Sequence, residues 1–483
     1  MSHLTQVPVK RLEPERFESV LSPDRYERFA AAIEQARALF EGRVVWNVNS
    51  TAKGGGVAEM LRSLLAYARG ADVDARWLVI EGNADFFRVT KRIHNRLHGW
   101  SGDGDALGEE ARRIYECTLE ANLPELQELV SPEDVLILHD PQTAGLAKAF
   151  EGVAPCVVWR CHVGLDLPND LARGAWSFLV PYVSAADAYI FSRRAFTWEG
   201  LDPRKTRIIP PSIDAFSPKN QDLERDAVEA ILQATGIIEE AEDGAPATFA
   251  REDGSPGRVD RHTVFLDGGP PPPPGALLVV QVSRWDRLKD PIGVMEGFAR
   301  YVAPTSDAHL VLAGPAVDAV ADDPEGAEVI EEARRRWGQL PPEIGARIHL
   351  ASLPMEDGEE NAAIVNALQR RADVIVQKSI AEGFGLTVSE AMWKARPVVA
   401  TRIGGIQDQI INDSTGLLVD DPHDLPAFGA AVRSLLDDPE EAARMGKEAQ
   451  SRVRDEFLGP RHLMQYVDLI KDLLVPIATQ LRS

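Results

Sequence analysis

Two carboxylates, Glu382 and Glu390, flank a glycine-containing loop that follows the apolar run Val374–Gln377 and leads into a segment of helical length. Glycines remove side chains from such a loop, so backbone N–H groups at the start of the helix can face a phosphate. The carboxylates are then placed to accept hydrogen bonds from sugar and ribose hydroxyls on opposite sides of it. A first-turn carboxylate favoured by the helix dipole is the alternative for Glu390 taken by itself. The loop residues predicted to form this phosphate site are Gly383, Phe384, Gly385, Leu386 and Thr387.

A second motif, residues 283–290 (SRWDRLKD), follows the apolar run Leu277–Val282. Its Arg284 and Lys289 can jointly neutralise a diphosphate, because a guanidinium offers a fork of donors and an ammonium a point charge. A solvated basic turn paired with Asp286 and Asp290 explains the same residues, and the charge pattern by itself favours that alternative.

Three glycines, Gly54, Gly55 and Gly56, separate another apolar run from a segment of helical length, Val57–Ala68. Glycines there let a ligand approach the backbone, and free N–H groups at a helix start attract phosphate. A tight strand-to-helix turn accounts for the glycines about equally well.

Polar residues end two apolar runs in the first half of the chain: His139 and Asp140 end one, and residues 160–162 (RCH) end the other. Ligands of open α/β sheets bind at the carboxyl ends of the strands, so these side chains are predicted to face a cleft. His162 has the chemistry to donate to a sugar hydroxyl, and Asp140 to orient an acceptor. A buried histidine satisfied within the core is the alternative for His162.

Short apolar runs alternate with segments of helical length along most of the chain, which is typical of parallel sheets covered by helices on both faces. We therefore predict an α/β doubly wound protein. The runs are Val44–Val48, Trp77–Ile80, Val135–Leu138, Val157–Trp159, Ala188–Phe191, Leu277–Val282, His309–Ala313, Arg347–Leu350, Val374–Gln377 and Val398–Ala400.

Composition limits the classes of function. The 483 residues carry a formal net charge of −23, which argues against a surface that holds nucleic acid or anionic membrane. Without a signal-peptide core or an apolar run of spanning length, we expect neither export nor membrane insertion, and a cytoplasmic location. The three cysteines lack metal-binding or redox spacing and are expected to be reduced thiols.

The series of runs is interrupted once, between about Pro210 and Gly275, by polar and proline-rich sequence. We place a domain boundary near Pro211, which gives a first domain of residues 1–211 and a second of 212–459. Residues 238–275 are predicted to be a mobile insertion, because their composition offers little apolar surface to bury. Residues 460–483 begin with an amphipathic helix, Pro460–Leu474.

Together, Arg284 with Lys289 and the Glu382/Glu390 pair resemble the signature of retaining nucleotide-sugar glycosyltransferases with the GT-B fold, in which two Rossmann-like domains face a central cleft. Further stretches resemble the trehalose glycosyltransferring synthases, over nearly the whole chain except its first 40 residues and the insertion. These stretches are Asn47–Met60, His94–Gly99, His139–Leu146, Trp159–Asn169, Ile208–Phe216 and Gly404–Ile410.

The resemblance implies roles for individual residues. Arg284 and Lys289 would bind the diphosphate, Glu390 the ribose, and Glu382 and His162 the donor glucose. The phosphate cradle would be completed by Gly54–Gly56 and the Leu386–Thr387 backbone, and the last helix would cross back to the first domain. The residues implied for the acceptor are His94, Asn95, Asp140 and His162. No metal site or required cofactor is implied, with Mg²⁺ at most a stimulant.

The implied reaction joins ADP-, UDP- or GDP-glucose to glucose, giving α,α-trehalose and the nucleoside diphosphate reversibly. The base preference stays open, and a homodimer is the default expectation for a soluble oligomer. A retaining trehalose phosphorylase, a glucosyltransferase with another small acceptor, and a catalytically silent sugar-nucleotide sensor are the alternatives.

Overall fold

The chain forms two compact units in a computed structural model that describes residues 4–52, 55–152, 156–239, 245–316 and 324–480. One unit comprises the chain up to Ser212 together with the segment from Phe457 onward, and the other comprises Ile213–Glu456.

The first unit is built on a sheet whose described strands follow the order β1-β3-β2-β4-β5-β6-β7. All neighbours are parallel except β1 and β3, which are antiparallel. The strands are Leu4–Val7 (β1), Val44–Asn49 (β2), Asp74–Ile80 (β3), Val135–His139 (β4), Cys156–Cys161 (β5), Ala188–Phe191 (β6) and Thr206–Ile208 (β7).

Helices cover both faces of this sheet, which is why β4, β5 and β6 are buried along their whole length. The α-helices of this part of the chain are Pro23–Leu39 (α1), Gly55–Gly70 (α2), Ala84–Leu97 (α3), Glu109–Leu129 (α4), Asp140–Thr143 (α5) and Asp170–Val183 (α6).

The second unit has a sheet whose described strands follow the order β10-β13-β12-β11-β14-β15-β16, with β8 and β9 forming a separate antiparallel pair. Without β10, which runs antiparallel to β13, this is the Rossmann strand order. The strands are Thr248–Ala250 (β8), Pro256–Arg258 (β9), Val264–Phe265 (β10), Leu278–Val282 (β11), His309–Pro315 (β12), Ile348–Leu353 (β13), Val374–Gln377 (β14), Val398–Thr401 (β15) and Leu417–Val419 (β16).

The helices of the second unit alternate with its strands. They are Arg225–Ala234 (α7), Pro291–Tyr301 (α8), Pro324–Trp337 (α9), Pro342–Gly345 (α10), Gly358–Arg371 (α11), Leu386–Trp393 (α12), Ile406–Gln409 (α13), Leu425–Asp437 (α14) and Pro439–Glu456 (α15). The predicted α/β doubly wound class is confirmed, and each apolar run predicted to be a strand overlaps an observed strand.

The predicted mobile insertion over 238–275 is wrong for the stretch from Thr248 to Phe265, which carries β8, β9 and β10. Phe249 is buried, and Arg251 pairs with Asp357 and Glu359 at the start of α11, at 2.7 and 2.9 Å. These anchors are distant in sequence, so local composition did not reveal them. Residues 240–244 of the predicted insertion lie outside the described residues.

The last helix, Gly459–Gln480 (α16), packs against α1, α2 and β5 of the first unit. The guanidinium of Arg160 is fully buried and donates to Nε2 of His462 at 2.8 Å and to the Tyr466 hydroxyl at 2.6 Å. A buried guanidinium needs such partners, because leaving its donors unsatisfied is costly. The interaction therefore fixes α16 on the sheet. None of the helices in the described ranges combines the length and the hydropathy that a membrane span requires.

Candidate active site

In the second unit, strand order brings two loops together that are far apart in sequence. β11 lies between β12 and β14 and is parallel to both. Strands β12 and β13 are added on one side of β11 and strands from β14 onward on the other, so the order of the strands reverses between β11 and β14. The loops after these two strands leave the sheet at its carboxyl edge, where open α/β sheets bind ligands. These loops contain the Arg284–Lys289 motif and the Glu382 loop.

Lys289 and Glu382 form an ion pair of 2.5 Å between Nζ and Oε2, and their side chains are 16% and 11% exposed. Lys289 ends a short 3₁₀ turn, and its carbonyl oxygen accepts a hydrogen bond of 2.8 Å from Nε2 of Gln281. The amide of Ile380 donates to the Leu288 carbonyl at 2.7 Å, which ties the two loops directly. The structure thus places the cation and the carboxylate of the predicted donor site in contact.

Arg284 behaves differently from Lys289. Its side chain is half exposed and pairs with Asp286 at 3.0 Å, as the solvated-turn alternative predicts. Asp290 pairs instead with the buried Lys378, and its side chain caps α8 through a 2.9 Å bond from the Gly293 amide. The turn alternative therefore describes Arg284 but not Lys289.

The glycine loop is held in place by α13 and the residues just before it. Gly385 has a left-handed backbone, φ 84°, and forms the N-cap of α12. Gln409 Nε2 donates to the Phe384 carbonyl at 2.5 Å, and the Gly405 amide donates to the Gly383 carbonyl at 3.0 Å. A Cβ on Gly404 would lie 1.9 Å from the Glu382 carbonyl oxygen, so only glycine fits there.

Glu390 lies in the second turn of α12, and its residue is only 2% exposed. Lys219 Nζ lies 3.6 Å from Glu390 Oε1. Thr387, in the first turn, donates from its hydroxyl to Oε1 of Gln377 at 3.4 Å, and both Leu386 and Thr387 are partly exposed. Sequence reasoning did not give roles to Lys219, Gly404 or Gln409. The Gly404–Ile410 stretch is part of the family resemblance, whereas nothing in the local sequence singles out Lys219.

In the first unit, β2 lies between β3 and β4 and is parallel to both, so the order of the strands reverses here as well. Asn47 on β2 and His139 at the end of β4 meet there, with 3.0 Å between Oδ1 and Nε2. His139 Nδ1 lies 3.3 Å from Nε2 of His162, which follows β5. All three residues are buried, as the buried-histidine alternative predicts for His162.

Asp140 follows His139 with a left-handed backbone, φ 63°, and its Oδ1 accepts a 2.8 Å bond from the His162 amide. Burial raises the pKa of the Asp140 carboxyl to about 7. Burial likewise lowers the pKa of His139 to about 3 and holds that of His162 well below its usual value, with a further contribution from Arg160. Both imidazoles are therefore neutral at neutral pH.

The other predicted residues of this unit lie on helices. His94 and Asn95 are in α3, which packs against α5, the short helix that begins at Asp140. Gly55 and Gly56 are exposed in the first turn of α2, while Gly54 lies outside the described residues. Across the described ranges, no group of three or more His, Cys, Asp or Glu side chains is arranged to hold a metal ion.

Comparison with known proteins matches both units. Residues 47–198 match a family model described as "Trehalose synthase, N-terminal domain", and residues 356–452 match "Glycosyl transferases group 1". A trehalose synthase of Pyrococcus horikoshii is 35% identical over 447 residues, covering 92% of this chain and 94% of that protein. The chain belongs to the trehalose synthase family. A second family member, from Rubrobacter xylanophilus, is 36% identical over 92% of this chain and 93% of its own.

Solved structures support the GT-B fold. An α,α-trehalose 6-phosphate synthase from Burkholderia multivorans aligns with a TM-score of 0.64 at 17% identity, covering 90% of this chain and 99% of that one. At that identity the likeness shows the fold alone. With the family established by sequence, this member of the trehalose synthase family is a trehalose-related glycosyltransferase of the GT-B fold.

Proposed function

We propose that this trehalose synthase family member transfers glucose reversibly from a nucleoside diphosphate glucose to free glucose, with retention, giving α,α-trehalose. The observation that carries the proposal is the Lys289–Glu382 pair beside the glycine loop at the carboxyl edge of a Rossmann sheet. A cation and a row of backbone amides suit a diphosphate, and a carboxylate suits sugar hydroxyls.

On this proposal the second unit holds the donor. Lys289 and Arg284 neutralise the diphosphate, with the amides of Leu386 and Thr387 at the start of α12. Glu382 accepts from hydroxyls of the donor glucose, and Glu390 from the ribose. Arg284 is half exposed, which leaves its guanidinium able to turn toward a phosphate. ADP-, UDP- and GDP-glucose are all candidate donors.

The first unit supplies the residues proposed to recognise sugar. Asp140, His94 and Asn95 are assigned to the acceptor glucose, and His162 to both sugars. The raised pKa of the Asp140 carboxyl, about 7, makes it able to accept or donate near neutral pH.

The proposed chemistry is front-face substitution. The bond between the anomeric carbon and the diphosphate oxygen breaks as the acceptor hydroxyl oxygen bonds to the same face. The acceptor proton passes to the departing phosphate oxygen. No side chain is needed as a base, and catalysis comes from stabilising negative charge on the leaving group. No cofactor is required on this scheme, with Mg²⁺ at most stimulating the reaction.

The test incubates the purified protein with glucose and each of ADP-, UDP- and GDP-glucose, and measures trehalose and nucleoside diphosphate. We expect trehalose with at least one donor. Nucleoside diphosphate release without trehalose would contradict the acceptor assignment, and turnover of glucose 1-phosphate alone would make the protein a phosphorylase.

A matched pair of variants tests the site. Lys289→Ala should lower turnover by about 10²–10³, by comparison with the loss of one preorganised donor. Arg287→Ala removes a cation from the same turn, but Arg287 pairs with Glu328 and Glu332. We expect it to retain most activity, and equal rates for the two variants would refute the role of Lys289.

A further inference from the structure

A buried chain of hydrogen bonds runs from Asn47 through His139 to His162 in the first unit. Asn47 Oδ1 lies 3.0 Å from His139 Nε2, and His139 Nδ1 lies 3.3 Å from His162 Nε2. The imidazole planes are within 15° of each other and their centroids are 5.6 Å apart. The centroid separation is larger than the N···N distance by about two ring radii. The two rings therefore lie edge to edge with the bond close to the plane of both, as an N–H···N bond requires.

The direction of this chain follows from chemistry. The Asn47 amide faces His139 Nε2 with its oxygen, which only accepts hydrogen bonds, so in this orientation His139 carries its proton on Nε2. His139 is neutral, since burial lowers its pKa to about 3, and its Nδ1 then has a lone pair. His162 must therefore donate to it from Nε2. Because His162 is also neutral, its own Nδ1 is left unprotonated.

We propose that Asn47 and His139 are positioning residues that fix His162 as the Nε2–H tautomer, so that its Nδ1 presents a hydrogen-bond acceptor to the sugar. The bond from the His162 amide to Asp140 Oδ1, at 2.8 Å, restrains the backbone at the same point. Within the described residues, the hydrogen bond of the His162 side chain is made by Nε2, and the residue is 8% exposed.

The consequence for specificity rests on the proposed function. Sequence reasoning gave His162 the role of a donor to a sugar hydroxyl, whereas the proposed direction makes it an acceptor from one. A site that accepts from a hydroxyl discriminates against a sugar in which that hydroxyl is replaced by hydrogen, because the buried acceptor is then left unpaired.

The direct test is ¹⁵N NMR of histidine-labelled protein, using long-range ring correlations that identify which nitrogen carries the proton. It needs no substrate and no variant. We expect His139 and His162 to be Nε2–H tautomers. A proton on Nδ1 of His162 would overturn the proposal, since it would mean that the Asn47 amide donates and the whole chain runs in reverse.

A matched pair of substitutions adds a kinetic readout. Asn47→Leu keeps the side-chain shape and removes the acceptor, so both histidines should show mixed tautomers and the rate of trehalose formation should fall roughly three- to tenfold. Asn49→Leu is the control, because Asn49 is also buried on β2 but accepts from Trp77 Nε1 at 2.9 Å. It should leave the His162 tautomer unchanged.

The outcomes separate this proposal from the function. An Asn47→Leu protein that keeps the wild-type tautomer on His162 overturns the positioning role. The expected tautomers in a protein that makes no trehalose from any donor would support the direction of the chain and refute the proposed reaction instead.

Discussion

The ammonium of Lys289 is neutralised by Glu382 at 2.5 Å, so a bound diphosphate has to compete with that carboxylate. Two substitutions should therefore change the affinity for nucleoside diphosphate in opposite directions. Glu382→Gln removes the competitor and a negative charge beside the phosphates, so nucleoside diphosphate should bind more tightly. Lys289→Gln removes the attracting cation, so the same ligand should bind more weakly. Glu382→Gln is close to isosteric, and Lys289→Gln shortens the side chain.

The magnitudes follow from electrostatics. Two like charges about 6 Å apart repel by roughly 3 kcal/mol at an effective dielectric constant near 20. Screening at a partly exposed site reduces this, and we expect Glu382→Gln to lower the Kd about tenfold. Loss of a charged hydrogen bond costs about 1.5–3 kcal/mol, so Lys289→Gln should raise the Kd by about 10- to 100-fold.

The assay is isothermal titration calorimetry with whichever of ADP, UDP or GDP binds the wild type, with Arg287→Gln as the control. Turnover is measured in parallel, and both site variants should be slower, because Glu382 is also proposed to contact the donor glucose. Weaker nucleoside diphosphate binding by Glu382→Gln than by wild type would refute the reasoning, since the carboxylate would then be supporting the phosphate site rather than competing with it.

Three further predictions concern the loops and the core. Gly404→Ala would place a Cβ 1.9 Å from the Glu382 carbonyl oxygen. We expect the free energy of unfolding, measured in urea, to fall by roughly 3 kcal/mol and nucleoside diphosphate binding to be lost. A fall of less than about 1 kcal/mol would contradict the clash. The Asp140 pKa, raised to about 7, makes the native state bind the extra proton, so this carboxyl lowers stability as pH rises from about 4 to 7. Asparagine tolerates the left-handed backbone. The free energy of unfolding of Asp140→Asn relative to wild type should therefore rise between about pH 4 and 7 and stay level above pH 7; a difference that does not change with pH would contradict the raised pKa. Ala36→Leu should fill part of an apolar cavity of about 90 Å³ between α1, α2 and α16 and add about 1–2 kcal/mol in urea unfolding, whereas the exposed control Ala31→Leu should change it by less than about 0.5 kcal/mol; equal effects would show that the cavity is not filled.

Local sequence determined the class of the protein. Strands buried on both faces must be continuous apolar runs, and loops that bind phosphate through their backbone require glycine. Both features can therefore be recognised in the local sequence without knowledge of the tertiary contacts. That is why the α/β class and the run from Val374 to Gln377 were predicted correctly, together with the resemblance to the trehalose glycosyltransferring synthases. The resemblance proposed Lys289 and Glu382 as separate candidate site residues.

Tertiary structure alone decided which of these residues touch. The strand order that puts β11 beside β14 joins Lys289 to Glu382 across 93 residues, and the order β2-β4-β5 aligns Asn47, His139 and His162. Pairings of this kind depend on the sheet as a whole, because hydrogen bonding between strands brings together ends that no local pattern relates. The sequence therefore determined which chemical groups are available, and the fold determined their partners and the burial that shifts their pKa values.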